Sequence, residues 1–309
     1  MTTTLSDLSN LILAGSDEQF NKAAQAPRRQ YWKEIVREVQ QEKQTGNYDT
    51  IGNLTAAQKH NEESAISFDK IEYNNRTSII SYVWEKGVKA TLEATEFDLY
   101  DVVERQFGEP LVRVMSNKKE HIVADVYNDV FTATGADGVY QASDSHPLKN
   151  DPTKYNDNLI TGALSVENIK AMKNRFNSIY DQAGELFDTQ PTHLLIHSNK
   201  MFEALELLNS ALLAWELSNT KNSLQDVAPI KIIENKYLNY NVTEDTSPWF
   251  MLDKNLTDAG CVLQVKKGLT LRTWFENEDL SLKGIAYEIY GAGMVAPGYG
   301  FVASLGNYT

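Results

Sequence analysis

From Leu99 to Val130, apolar side chains recur on one drifting helical stripe: Leu99, Val103, Phe107, Leu111, Met115, Ile122, Val126 and Val130. Three-to-four spacing sustained that far marks an amphipathic helix. A helix over 96–130 is about 50 Å long at 1.5 Å per residue. It needs an equally long surface to lie along, so it constrains the rest of the chain more than any other feature does. Pro110 lies inside the stripe. It removes one backbone donor and clashes with the carbonyl of Gln106, so a bend is expected there.

The remaining segments offer strands as that surface. Residues 71–91 (IEYNNRTSIISYVWEKGVKAT) alternate and are β-branched, with Asn74-Asn75 a plausible turn. PTHLLIHS (191–198) reads as a buried strand, followed by a helix over 201–217 that is apolar nearly all round. IKIIENKYL and SPWFMLDKN continue the strands. CVLQVKKGLTLRTWF reads as a pair turning at Lys267-Gly268, and LKGIAYEIYGAGMVAPGYGFVASLG as another pair. Ser165 begins an imperfect capping box for a helix over 166–183 that stops at Gly184. Nearer the start, residues 1–16 read as a polar arm, and Asp17 as the cap of a helix carrying Phe20, Ala23 and Ala24. Pro27 opens a second helix through Tyr31, Trp32, Ile35, Val36 and Val39, ending near Thr45-Gly46. Residues 46–70 are polar and too long for an ordinary connection. The class is α+β, and 309 residues allow one large or two modest domains.

Function classes narrow next. With 29 Lys and Arg against 42 Asp and Glu, the net charge is −13, the wrong sign for a protein that grips phosphates. Cys261 stands alone, which rules out an intrachain disulfide or a thiolate metal cluster. The opening MTTTLSDLSNLILAGSDEQF has no basic region and only a short apolar run from Leu11 to Ala14, so neither a signal peptide nor a membrane helix is expected. A soluble protein made in the cytoplasm and keeping its N-terminus from Met1 follows as the expectation.

Chemical motifs are few. Ser143-Asp144-Ser145-His146 is tempting, but triad members come from residues apart in sequence. No G-x-S-x-G elbow is present. Asp137-Gly138 lacks the alternating ligands of a calcium loop and reads as a tight turn with Gly138 at positive φ. His193 and His197 share a strand face, without an evident third metal ligand; His60 and His121 are isolated. Arg28, Arg29, Lys33 and Arg37 alternate with Glu34 and Glu38, the pattern of a solvated helix face. No P-loop or dinucleotide fingerprint occurs. Neither a catalytic residue, nor a cofactor, nor a metal is expected. The length goes instead into arms, a long helix and strands, as in a chain that works by touching copies of itself.

The order of HIVADVYNDVFTATGADGVYQASDSHP, NLITGALSVENIKAM, PTHLLIHSNKMFEALELL and SPWFMLDKN resembles the major capsid proteins of tailed bacteriophages, which have the Hong Kong 97 fold, in the branch with a Mu-like head subunit. The likeness runs from about Tyr82 to Ser304. It implies an N-terminal arm (1–44), an extended E-loop (45–88) and a peripheral domain (89–190) with a long spine helix (about 96–130), a loop (131–164) and a second helix (166–183). It further implies an axial domain (191–255) and return strands to the peripheral domain (256–309). The implied partners are many copies of the chain, as hexamers and pentamers, with portal, scaffolding and decoration proteins and packaged DNA nearby but no membrane. The place implied is the virion capsid, assembled in the host cytoplasm. Lys59, Lys70, Lys86 and Lys89 lie near the E-loop, where some members cross-link, but nothing in the sequence marks them for it. An encapsulin-type nanocompartment is the alternative, its cargo docking near the helix 28–43.

Overall fold

A computed structural model of the protein describes residues 5–26, 28, 30–51, 59, 68–69, 73–91, 93–94, 105–149, 151, 153–210, 224, 230–256, 259–276, 278, 280–296 and 298–307. In chain order the elements are α1 (Leu5–Gln25), α2 (Trp32–Ile35), β1 (Arg37–Gln40), β2 (Thr45–Ile51), β3 (Tyr73–Ile80), β4 (Tyr82–Thr91), α3 (Glu109–Asn128), β5 (His146–Pro147), β6 (Tyr155–Asn156), β7 (Leu159–Ile160), α4 (Val166–Phe176), β8 (His193–Ile196), α5 (Met201–Asn209), β9 (Lys231–Glu234), β10 (Trp249–Leu252), β11 (Gly260–Glu276), β12 (Ser281–Val295) and β13 (Phe301–Ser304).

Two larger sheets organise the chain. One has the order β7-β13-β10-β8-β9 and is covered on both faces. Its strands alternate strictly. Trp249, Met251, Leu194, Ile196 and Val302 point to a cluster with Ile169, Met172 and Phe176 of α4 and Leu207 of α5. Phe250, Leu252, Leu195, Phe301 and Ala303 point the other way, to Val123 and Tyr127 of α3. Continuous apolar runs such as WFML and HLLI are what a sheet buried on two faces requires. The other sheet, β1-β11-β12-β4, is built on the long β11–β12 pair. It is the surface that α3 needs. Leu111, Val112 and Met115 pack with Leu282 and Ala286, and Lys119 Nζ meets Glu288 Oε2 at 2.6 Å. A third face of that arrangement is closed by α1, through Phe20 and the half-buried Leu13 and Ala23.

Several expectations are corrected. The helix over 96–130 is interrupted: the chain turns at Phe107-Gly108, and α3 begins at Glu109 with Pro110 in its first turn. Proline suits that position, where no N–H is needed, so it starts the helix rather than bending it. The described α3 is 20 residues, about 30 Å; Leu99 and Val103 lie outside the described residues. The arm over 1–16 is helical from Leu5, and Asp17 sits inside α1, where it accepts a hydrogen bond from Thr273 Oγ1 at 3.1 Å. The second helix shrinks to α2. Its buried N-terminus is capped by the Glu120 carboxylate, which accepts from Trp32 N at 3.1 Å, and burial raises the pKa of that carboxyl. After Val36 the chain becomes β1, parallel to β11, because Val39 completes a sheet edge opposite Gln264. Pro27 and Arg29 lie outside the described residues.

Asn74-Asn75 is not a turn; it lies in β3 at a register irregularity opposite β2. The helix expected over 166–183 ends at Phe176, and Gly184 (φ 85°) serves a later turn, closed by Asp181 Oδ1 accepting from Ala183 N and Glu185 N. Lys267-Gly268 is likewise no turn. It falls among two irregularities within the single 17-residue strand β11, where β-bulges bend a strand without reversing it. The last strand pair is split, β12 joining one sheet and β13 the other. Of the helix over 201–217, residues 201–209 are described and 211–217 lie outside, as do His60, Lys70 and most of 52–72.

Candidate assembly surface

The polar loop after α3 is folded upon its own backbone. Gly138 takes φ 89° in a turn closed by Gly135 N to Val139 O, 2.7 Å, as the Asp137-Gly138 pair suggested. His146 is buried, and its Nδ1 lies 2.5 Å from Asp137 Oδ2. Its Nε2 lies 3.1 Å from Asn158 Oδ1. The Asn158 amide is oriented by backbone: Nδ2 donates to Gln141 O at 2.9 Å and Oδ1 accepts from Ser143 N at 2.8 Å. Both imidazole nitrogens are thus engaged within the loop, by Asp137 and Asn158 rather than by a serine hydroxyl. Ser145 is exposed, and its backbone N donates to Ser143 Oγ at 3.2 Å. The run of four residues thus separates into an inward histidine and an outward serine, as alternation along an extended loop dictates.

His193 and His197 also go separate ways. His193 Nδ1 contacts Thr192 Oγ1 at 2.8 Å, and its Nε2 lies 3.9 Å from Glu34 Oε2. His197 stacks on Tyr240 at 4.5 Å and accepts from Asn199 N through Nδ1. Burial pushes both imidazoles below their ordinary value. The hydrogen bond from Lys231 at 2.9 Å holds the Glu34 carboxyl below the usual range. Among the described residues no group of three or more His, Cys, Asp or Glu is placed to hold a metal ion, and no helix is long and apolar enough to cross a membrane. The basic residues of 28–37 are dispersed: Arg28 pairs with Glu109, and Lys33 lies over the Trp32 ring.

The feature missed in the sequence is the seat of the β2–β3 ribbon. These strands pair antiparallel from Thr45↔Ile80 to Ile51↔Tyr73, and the ribbon's base crosses the β11–β12 pair. Gln264 is fully buried there. Its Nε2 reaches Ser81 Oγ at 2.6 Å, Ile79 O at 3.1 Å and Gln44 O at 3.1 Å. Its Oε1 accepts from Tyr48 OH at 3.4 Å. Opposite Gln264 in β12 stands Gly291, where a Cβ would lie 2.2 Å from Ile80 O. Two residues on, Gly293 makes room for the Ile79 side chain. The available signal was a glutamine at a core-phased position of CVLQV. Crossing backbone leaves carbonyls that need donors, and this amide supplies them.

Around the seat lies an exposed apolar strip: Ile80, Tyr82 at 57% and Val83 at 59% exposure. Beyond Ile79 the ribbon's inward face is polar, with Asn75 and Thr77 across a narrow cleft from His146, Asn156 and Tyr299. Phe202 and Val242, nearly four-fifths exposed, form further apolar points.

This architecture is shared with solved shells. The chain is similar to the capsid protein of cyanophage Pam1, with 15% identity, a TM-score of 0.59, and coverage of 91% of this chain and 92% of that one. It is similar to the SrpI encapsulin of Synechococcus elongatus PCC 7942, with 10% identity, a TM-score of 0.55 and 93% of both chains covered. It is also similar to the capsid protein of the native GTA particle, with 10% identity, a TM-score of 0.56, and 90% and 91% covered. The shared feature is the Hong Kong 97-like capsid fold. No curated protein matches the chain. The family model described as phage capsid protein matches residues 77–303. That span takes in both large sheets apart from β1, together with α3 and the strand that seats the ribbon, and by it the chain belongs to the phage capsid protein family as a subunit of a capsid shell.

Proposed function

We propose that this chain is the major capsid protein of a tailed phage, assembling as hexamers and pentamers into an icosahedral head around double-stranded DNA. The observation that carries the reading is the β2–β3 ribbon. A two-stranded ribbon is marginal in water by itself. Among the described residues it contributes only Ile79 and Tyr48 to an apolar cluster of its own subunit. A neighbouring copy supplies the remaining surface, with the strip Ile80, Tyr82 and Val83 beside it.

The net charge of −13 suits a container whose wall repels the polyanion inside it. The chain acts by contact and catalyses nothing; His146 and its partners fasten a loop. Residues 191–255 gather around the symmetry axes. Portal, scaffolding and decoration proteins meet the shell, and assembly takes place in the host cytoplasm. Cryo-EM of particles formed by the expressed chain tests this. Closed shells containing both hexamers and pentamers support it. Small shells holding protein cargo would move the reading to an encapsulin-type compartment, and the absence of any shell would overturn both.

A further inference from the structure

We infer that Gln264 is a positioning residue for assembly: its carboxamide clamps the base of the β2–β3 ribbon and so sets the angle at which the ribbon leaves the subunit. The inference rests on the shell reading above and adds to it a particular control point.

The clamp stands on three observations. The amide is wholly buried and bonded to both strands of the ribbon's base, through Gln44 O before β2 and Ile79 O and Ser81 Oγ at the end of β3. The two strands meet at that same point, where Ser81 N donates to Gln44 O at 2.8 Å. And the crossing leaves no room around the amide. A Cβ on Gly46 would fall 2.0 Å from Gln264 Oε1, and one on Gly291 2.2 Å from Ile80 O. With Gly46 packed directly on the amide and β3 backbone directly on Gly291, the amide decides the geometry. The ribbon's remaining inward face offers the polar Asn75 and Thr77, so the constraint lies at one end. Seven residues of β2 extend about 20 Å at 3.4 Å per residue, and a rotation of about 10° at the base displaces the far end by about 3–4 Å. That is enough to change which surface of a neighbour the ribbon meets.

Three variants reach the clamp by different routes. Gln264→Met keeps the volume and removes the donors. Gly46→Ala drives the amide out of place. Gly291→Ala lifts β3 off β12. The expected result in the unassembled subunit is that amide exchange at Ile79–Tyr82 accelerates about tenfold or more, the worth of one or two lost hydrogen bonds. Protection of the β8 and β10 amides stays as in the parent. For the shells, the expected result is a broadened particle diameter or unclosed sheets at unchanged subunit solubility. A merely structural role would lower protection everywhere and leave the diameter of surviving particles alone. Should Gly291→Ala fail to fold, the other two decide. The clamp is overturned if Gln264→Met and Gly46→Ala keep parental exchange at Ile79–Tyr82, or if they form particles of parental diameter and yield. If the parent itself forms no shells, the function proposed above fails, and the exchange measurement still reports on the clamp.

Discussion

Phe107 marks the point where α1, the turn before α3 and β12 converge, and its coupling to Gly284 can be measured. The ring is fully buried, and a Cβ placed on Gly284 would lie 2.5 and 2.6 Å from ring atoms Cε1 and Cδ1. Phe107→Ala removes a benzyl group from a site that cannot collapse freely between two rigid elements, at a cost of about 3–5 kcal/mol. Gly284→Ala alone pushes a methyl group into the ring and toward Thr273 Cγ2, at about 1–3 kcal/mol. In the double variant the methyl enters space the ring has left. The combined cost therefore falls short of the sum by about 1–3 kcal/mol, as for residues sharing one cavity. Urea unfolding of the unassembled subunit, followed by tryptophan fluorescence, gives the cycle. Additivity within about 0.5 kcal/mol would refute the stacking of this ring on β12.

Pro110→Ala should change unfolding free energy by less than about 1 kcal/mol, because the proline occupies a first-turn position. A gain of about 3 kcal/mol or more would mean a helix-interior proline after all. Cys261, buried and with its thiol pushed up to about 12, should resist a thiol reagent near pH 8 in the folded subunit and react at once in denaturant; rapid labelling of the native protein would contradict its burial. His193 and His197 are both held below the ordinary 6.5, so on acidification the unfolded chain takes up protons first. Stability should fall as pH drops from about 7 and level off below the folded values. Melting curves across that range check the sign, and His197→Phe, which keeps a ring against Tyr240, should flatten part of the slope.

What the sequence disclosed follows from how local each signal is. The apolar runs HLLI and WFML, read as strands, are strands buried on two faces. The Ser165 cap was equally legible, and its side chain accepts from Asn168 N at 3.2 Å. Pro110 was legible as a disturbance but ambiguous in kind, since a proline that bends a helix and one that begins it look alike unless the break at Phe107-Gly108 is recognised. Val36 and Val39 fit a helical face and a strand equally well, and pairing with β11, more than 200 residues away, decided between them. Lys267-Gly268 carried turn chemistry that a bulge also uses. The ribbon's seat was hidden because its members, Gly46, Gln264 and Gly291, become neighbours only through tertiary crossing. Each alone is unremarkable in its own strand.

The pairing of β4 with β12 also has a consequence in time. Tyr82 pairs with Tyr290, and Thr91 with Ser281, so the ribbon is synthesised long before the strands that hold it. At about 5–20 residues per second, roughly 10–40 s separate the emergence of β3 from that of Gly291 and Gly293. Throughout that interval the nascent chain carries Ile79, Ile80 and Tyr82 with nothing beneath them. Non-local pairing of this kind is slow to form, and it works as a delay. Until β12 docks, the ribbon lacks its seat, and under the clamp proposed above a partly made subunit cannot present it to a neighbour at the angle a shell requires. On that proposal, addition to a growing shell is reserved for chains translated through nearly all of 1–293.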